Sequence, residues 1–186
     1  MVTHVPAGAP EDERGMLLAF VEAQRGAVRR SLLGLTEEQA ASRPSASELS
    51  LSGLLKHCAE TELNWLRMAQ RQPNEKRRTQ ETWAESFRLV GDETVREMLE
   101  FWADVSAQTE KFIRSVEDMN GTFPLPEAPW FPKDEQCSMR WLLVHLVEET
   151  ARHAGHADII RESLDGRTAF ELIADEAKGA GYPGQN

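Results

Sequence analysis

Three histidines and a glutamate are spaced so that they would share one face of a helix. Successive helical residues lie about 100° apart around the axis, so with His145 as reference, His156, Glu149 and His153 fall at about 20°, 40° and 80°. The apolar Ile160 falls within the same strip, which should therefore face the core. Burying several ionisable groups is costly unless they pair or bind a metal ion. The pattern therefore indicates a metal site.

A complete ligand set requires a donor from a second helix. Glu149 and His153 lie one helical turn apart, as do His145 and Glu149, so either pair could bind one ion. His57 lies on the apolar side of another predicted helix. His57, Glu149 and His153 would form a two-histidine, one-carboxylate site that suits Zn²⁺, Ni²⁺ or Fe²⁺ and leaves a position open. The alternative for each histidine is a hydrogen-bonded core residue without metal.

The elements that must position these residues are helices. The i, i+3, i+4 spacing of apolar residues predicts four long helices and a short C-terminal one, near residues 12–33, 52–71, 94–116, 138–164 and 169–177. The core stripe of the first helix is expected to contain Met16, Leu17, Phe20, Val21, Gln24, Val28 and Leu32. Capping boxes begin at Thr36 and Thr94, Ser138 is a predicted N-cap, and Gly166 is a stop signal.

The sequence predicts that the segments between these helices are connections. Residues 74–91 are polar and mixed in pattern, with room for one short helix, and the proline-rich residues 123–132 favour an extended loop. We expect no β-strand. The predicted fold class is all-α, an antiparallel four-helix bundle with long connections.

Composition limits the function classes. The 186 residues, 40% hydrophobic and 28% charged, suit a single domain over residues 1–186 with an ordered core of about 12–177. A net charge of −10 argues against nucleic-acid binding. No apolar run is long enough to span a membrane, and residues 1–14 lack the pattern of a signal peptide. We therefore expect a cytoplasmic protein, in which Cys58 and Cys137 form no disulfide.

Two motifs carry a resemblance to a known family. They are LLKHCAE at residues 54–60 and WLLVHLVEETARHAGHADIIRE at residues 141–162, the second being the more specific. On these motifs, and on the order of elements over nearly the whole chain, the protein resembles the DinB-like (YfiT-like) superfamily of metalloenzymes. Within it, the chain is most similar to actinobacterial proteins of the mycothiol-dependent S-transferase and maleylpyruvate isomerase type.

The resemblance implies a four-helix bundle that holds a divalent metal with His57, Glu149 and His153. Most of the superfamily has His-x-x-x-His on the last long helix, whereas this chain has Glu149-x-x-x-His153, similar to the variant in the maleylpyruvate isomerases. Because a carboxylate is a harder ligand than imidazole, the metal remains open, with Zn²⁺ expected and Ni²⁺ or Fe²⁺ as alternatives.

His145 and His156 also match the family's helix, and we expect them to line the pocket or to orient a ligand. His145 lies about 12 Å along the axis from His153, too far to share an ion with it. His156, three residues beyond His153, could instead replace Glu149 as ligand. An anionic group of the thiol or the substrate could bind to Arg140, Arg152 or Arg161. The alternative is that each of them is a solvated arginine on the surface.

The implied function is a metal-dependent S-transferase that uses a low-molecular-weight thiol such as mycothiol and a small electrophile. Cys58 is then expected to be a packing residue instead of a nucleophile. One alternative is a metal-dependent hydrolase, with His145 or His156 transferring protons. The other is a non-catalytic interaction or sensor protein that forms a homodimer through its bundle faces. The sequence leaves all three open.

Overall fold

The computed structural model describes residues 5, 12–125, 132 and 134–184. Over these residues the fold is all-α with one small β-hairpin, and the predicted all-α class is confirmed. In chain order the elements are α1 (Glu13–Arg30), α2 (Glu37–Ala41), α3 (Leu51–Ala69), a 3₁₀ turn (Trp83–Phe87), α4 (Val95–Ser115), β1 (Thr122–Pro124), β2 (Gln136–Ser138), α5 (Met139–Asp165) and α6 (Ala169–Glu176). None of the helices described is long and apolar enough to cross a membrane.

Side-chain caps fix where the long helices begin. Ser50 and Ser138 each accept a hydrogen bond from the backbone N–H three residues later, which satisfies a donor that the first turn leaves free. Thr94 begins α4 with the predicted capping box, in which Glu97 reaches back to the Thr94 N–H. Helix α5 ends at Gly166, whose φ of 77° is the left-handed conformation that glycine adopts without strain.

The core holds α3 against its neighbours. Helix α3 packs against both α4 and α5, and α1 packs along α5. One hydrophobic cluster, which includes Leu54, Trp102 and Ile160, lies between these helices. A second cluster, which includes Trp65 and Phe123, continues the core to the hairpin. This packing places the predicted ligand of α3 beside those of α5.

The hairpin corrects the expectation that the chain contains no strand. Strands β1 and β2 are antiparallel, with Phe123 opposite Cys137, and both of these side chains are buried. Each strand has only three residues, too few to produce a recognisable alternation in the sequence. Residues 126–131 of the predicted proline-rich loop lie outside the described residues, as do residues 1–4 and 6–11 of the N-terminal segment.

Candidate metal centre

His57, Glu149 and His153 meet between α3 and α5. The Nε2 atom of His57 lies 3.3 Å from Oε1 of Glu149, and Nε2 of His153 lies 3.2 Å from the same oxygen. One potential ligand atom from each residue lies within 4.8 Å of the others. The structure therefore brings together the three residues that the sequence predicted as ligands.

Burial within this trio is uneven. The side chains of His57 and His153 are buried, with 6% and 9% of their surface exposed, whereas the Glu149 side chain is 25% exposed. The i, i+4 spacing on α5 places Glu149 and His153 on one face, and α3 supplies the histidine that faces them. The carboxylate is thus the member of the trio that solvent or a small molecule can approach.

The 3₁₀ turn contributes a second layer around His57 that the sequence did not reveal. The Phe87 ring stacks on the His57 ring with centroids 4.0 Å apart and an interplanar angle of 17°. The Ser86 hydroxyl lies 3.4 Å from Nδ1 of His57 and donates its own proton to the Trp83 carbonyl at 2.8 Å. Ser86 can therefore only accept from His57. These residues come from a polar connection without helical period, so no sequence signal assigned them to the site.

Helix α3 also holds this turn in place. A Cβ atom on Gly53 would lie 2.0 Å from the Phe87 carbonyl oxygen, so only glycine allows the turn to approach so closely. One helical turn later, the fully buried Lys56 donates to the Arg88 carbonyl at 3.1 Å and to Glu93. Anchoring by Gly53 and Lys56 fixes the position of Phe87 over His57.

The donor set fits a divalent metal ion. Because the Ser86 hydroxyl can only accept a hydrogen bond from Nδ1–H of His57, the neutral ring directs the lone pair of Nε2 towards the Glu149 carboxylate. A lone pair that faces an anion requires a cation between them or a proton on the ring. The neighbouring side chains of His153 and, next, His57 hold the pKa of Glu149 well below its ordinary value, so the carboxylate is ionised. Two imidazoles and an ionised carboxylate are ligands typical of zinc. A hydrogen bond on the other ring nitrogen, as His57 makes, is the usual way in which a histidine ligand is oriented.

His156 lies beside the trio but outside it. Its ring centroid is 5.6 Å from that of His153, and the structure groups Glu149, not His156, with the other two residues. The Nδ1 atom of His156 is buried and has no hydrogen-bond partner among the described residues. Burial lowers the pKa of His156, and the nearby His153 lowers it further. Both effects favour the neutral form of the imidazole.

His145 occupies a separate aromatic environment on α5. It stacks on Trp141, with centroids 4.9 Å apart, and its edge packs against Trp65 at 4.6 Å. Burial lowers the pKa of His145, although the charges of Glu149 and Glu148 oppose this shift. It lies one helical turn before Glu149, and its role in lining a pocket or orienting a ligand stays a prediction.

Two further candidates are held in the core. The Arg161 side chain is 2% exposed and donates to the carbonyls of Ser31 and Leu33 at 2.8 Å each, so it is neither a surface arginine nor free to receive a substrate anion. Burial raises the pKa of the Cys58 thiol, and the Glu149 charge raises it further. Cys58 is therefore a neutral, buried thiol, as expected of a packing residue.

Comparison with known proteins shows both a fold and a family. A solved structure described as a conserved protein from Enterococcus faecalis aligns with a TM-score of 0.65, covering 85% of this chain and 100% of that one. At 15% identity, this similarity concerns the fold alone.

No protein of curated function matches the chain significantly. The model of the mycothiol S-transferase family, however, matches residues 16–166, which include both helices of the trio and the turn that covers it. The chain therefore belongs to the mycothiol S-transferase family.

Proposed function

We propose that this protein is a metal-dependent S-transferase that joins mycothiol to a small electrophile. The observation that carries the proposal is the convergence of His57, Glu149 and His153 in a member of this family. These residues would hold the metal, Zn²⁺ being the proposed ion and Ni²⁺ or Fe²⁺ the alternatives. A divalent cation bound there supplies positive charge that stabilises a thiolate at neutral pH.

The remaining residues of the site account for orientation and proton transfer. Ser86 and Phe87 fix the ring of His57, and the partly exposed Glu149 marks the side from which the thiol enters. In the reaction the sulfur forms a bond to the electrophilic carbon, and the leaving group departs with its bonding electron pair. His156, whose ring centroid lies 5.6 Å from that of His153, is the residue proposed to receive the thiol proton.

A thiol-transfer assay on metal-reconstituted protein tests the proposal. The substrates are mycothiol and 1-chloro-2,4-dinitrobenzene, and the variants are His57→Ala, Glu149→Gln and Glu148→Gln. Glu148 is the matched control because it lies next to Glu149 on α5 but outside the trio. We expect His57→Ala and Glu149→Gln to lose turnover by more than about a hundredfold, because losing even a residue that orients a ligand costs about 10–100-fold. Glu148→Gln should retain turnover.

Two results would contradict the proposal. Unchanged turnover in His57→Ala would exclude a metal-centred mechanism. Turnover of an ester or amide substrate without any thiol would instead indicate metal-assisted hydrolysis at the same residues.

A further inference from the structure

Trp83 presents an exposed aromatic ring at the edge of the candidate metal centre. The residue is 54% exposed, yet its ring centroid lies 6.1 Å from that of His57 and 6.4 Å from that of Phe87. The indole stands nearly perpendicular to the His57 imidazole, at 82°. A large apolar side chain left in water beside a reactive site is a typical contact surface for a ligand.

The turn that carries Trp83 is held firmly from several sides. The Trp83 carbonyl accepts the hydrogen bond from Ser86, and the following Phe87 carbonyl packs against Gly53. Arg78 joins Glu85 of the turn to Glu60 of α3, with distances of 3.0 Å and 2.6 Å. The indole is thus presented on a fixed support, which reduces the entropy that a ligand must overcome on binding.

The polar side chains next to Trp83 are committed to internal hydrogen bonds. Ser86 donates to the Trp83 carbonyl, Glu85 pairs with Arg78, and the Thr82 hydroxyl accepts from the Thr79 backbone N–H at 2.9 Å. These three neighbouring side chains are thus already paired, and the apolar group that the turn exposes is the indole ring. The face of an indole favours a planar, apolar group, and the negative charge density of that face disfavours an anion.

We propose that Trp83 is a stacking platform for the planar, apolar part of the electrophile and so determines which electrophiles the enzyme accepts. The ligand class is a neutral aromatic or conjugated molecule. That this ligand is the substrate which receives the thiol rests on the proposed function. That it binds at Trp83 rests on the geometry alone.

A binding measurement without thiol tests the place of binding. 2,4-Dinitroaniline is planar, neutral and unreactive, and its dissociation constant can be measured by equilibrium dialysis. We expect Trp83→Ala to weaken binding about tenfold, which corresponds to about 1.4 kcal/mol and is near the upper range for an aromatic pair. Trp83→Phe should retain most of the affinity. Phe170→Ala is the control, since Phe170 is 62% exposed on α6, away from the site.

Steady-state kinetics then test specificity. Trp83→Ala should raise KM for 1-chloro-2,4-dinitrobenzene about tenfold more than it raises KM for mycothiol or for the small aliphatic electrophile iodoacetamide. Equal losses with both electrophiles would overturn the inference, as would wild-type affinity for dinitroaniline in Trp83→Ala or no binding by the wild type. Trp83-dependent binding in a protein without thiol-dependent turnover would support the binding site while refuting the proposed function.

Discussion

At the residue scale, one carboxylate oxygen of Glu149 lies close to two imidazole nitrogens. It is 3.3 Å from Nε2 of His57 and 3.2 Å from Nε2 of His153. Since the Ser86 hydroxyl accepts a hydrogen bond from Nδ1–H of His57, Nε2 of the neutral ring has no proton to share with Glu149. This contact is therefore favourable only with a cation at the site or a second proton on the His57 ring. The spacing of Glu149 and His153 could be predicted from the sequence because a helix fixes the i, i+4 distance. The position of His57 relative to them could not, because it depends on how α3 is rotated against α5.

The two cysteines provide a test of the claim that the protein itself supplies no thiol nucleophile. Both are buried, and burial raises the pKa of Cys137 to about 11 and that of Cys58 further still. Since the thiolate is the reactive form, we expect neither to react with Ellman's reagent within minutes in the native protein at pH about 8. After denaturation in guanidinium, both thiols should be labelled.

The corresponding variant is Cys58→Ala, which should keep the thiol-dependent turnover of the wild type. Rapid labelling of native Cys58, together with loss of turnover in the variant, would show that Cys58 is a nucleophile and that the proposed mechanism is wrong.

At the element scale, the 3₁₀ turn depends on its close packing against α3. Gly53→Ala would place a Cβ atom 2.0 Å from the Phe87 carbonyl oxygen, so the turn must shift. We expect this variant to lose about 1–3 kcal/mol of unfolding free energy, as overpacked sites do, and to bind metal more weakly because Phe87 and Ser86 move with the turn. Urea denaturation and metal titration would measure the two effects.

Gly155→Ala is the matched control for a glycine-to-alanine change in a helix. Gly155 lies within α5, and a Cβ atom there would meet nothing within 4 Å. Because alanine is the better helix former, this variant should gain up to about 1 kcal/mol. Equal stability of the two variants would mean that the turn does not pack against Gly53 as described.

The same element shows where prediction from sequence ends. Periodicity and caps predicted the four long helices, the short α6 and a short helical piece between residues 74 and 91, all of which are present. They could not show that this piece would cover His57, because its contacts with α3 are tertiary. The predicted stripe of α1 was partly wrong, since Met16 and Phe20 are 42% and 41% exposed. The buried face of that helix includes Arg25 instead. Because a charged residue is not expected in a core, the apolar pattern did not predict its burial.

At the scale of the whole molecule, a buried ion pair links three helices. Arg25 of α1 binds both carboxylate oxygens of Glu62 on α3, and Trp102 of α4 donates to Glu62 at 2.9 Å. Arg25→Met would leave the Glu62 charge buried without its partner. We expect a loss of about 3–5 kcal/mol of unfolding free energy, the usual cost of breaking such a pair, measured by urea denaturation.

The double variant Arg25→Met with Glu62→Gln provides the control. It removes both charges and keeps an acceptor for the Trp102 indole, so it should be more stable than Arg25→Met alone. If the double variant were no more stable than the single one, the loss would come from packing and not from the unpaired charge.

The single-domain organisation and the homodimer expected from the sequence stay predictions.

The most direct test of the account is the metal content of the purified, tag-free protein, measured by inductively coupled plasma mass spectrometry. Wild type and the variants His57→Ala, His153→Ala and Glu148→Gln should be compared. We predict near-stoichiometric zinc in the wild type and in Glu148→Gln, and its loss in both histidine variants. Absence of metal from the wild type even after reconstitution, or equal metal in all four proteins, would contradict the account and make the trio a buried polar network.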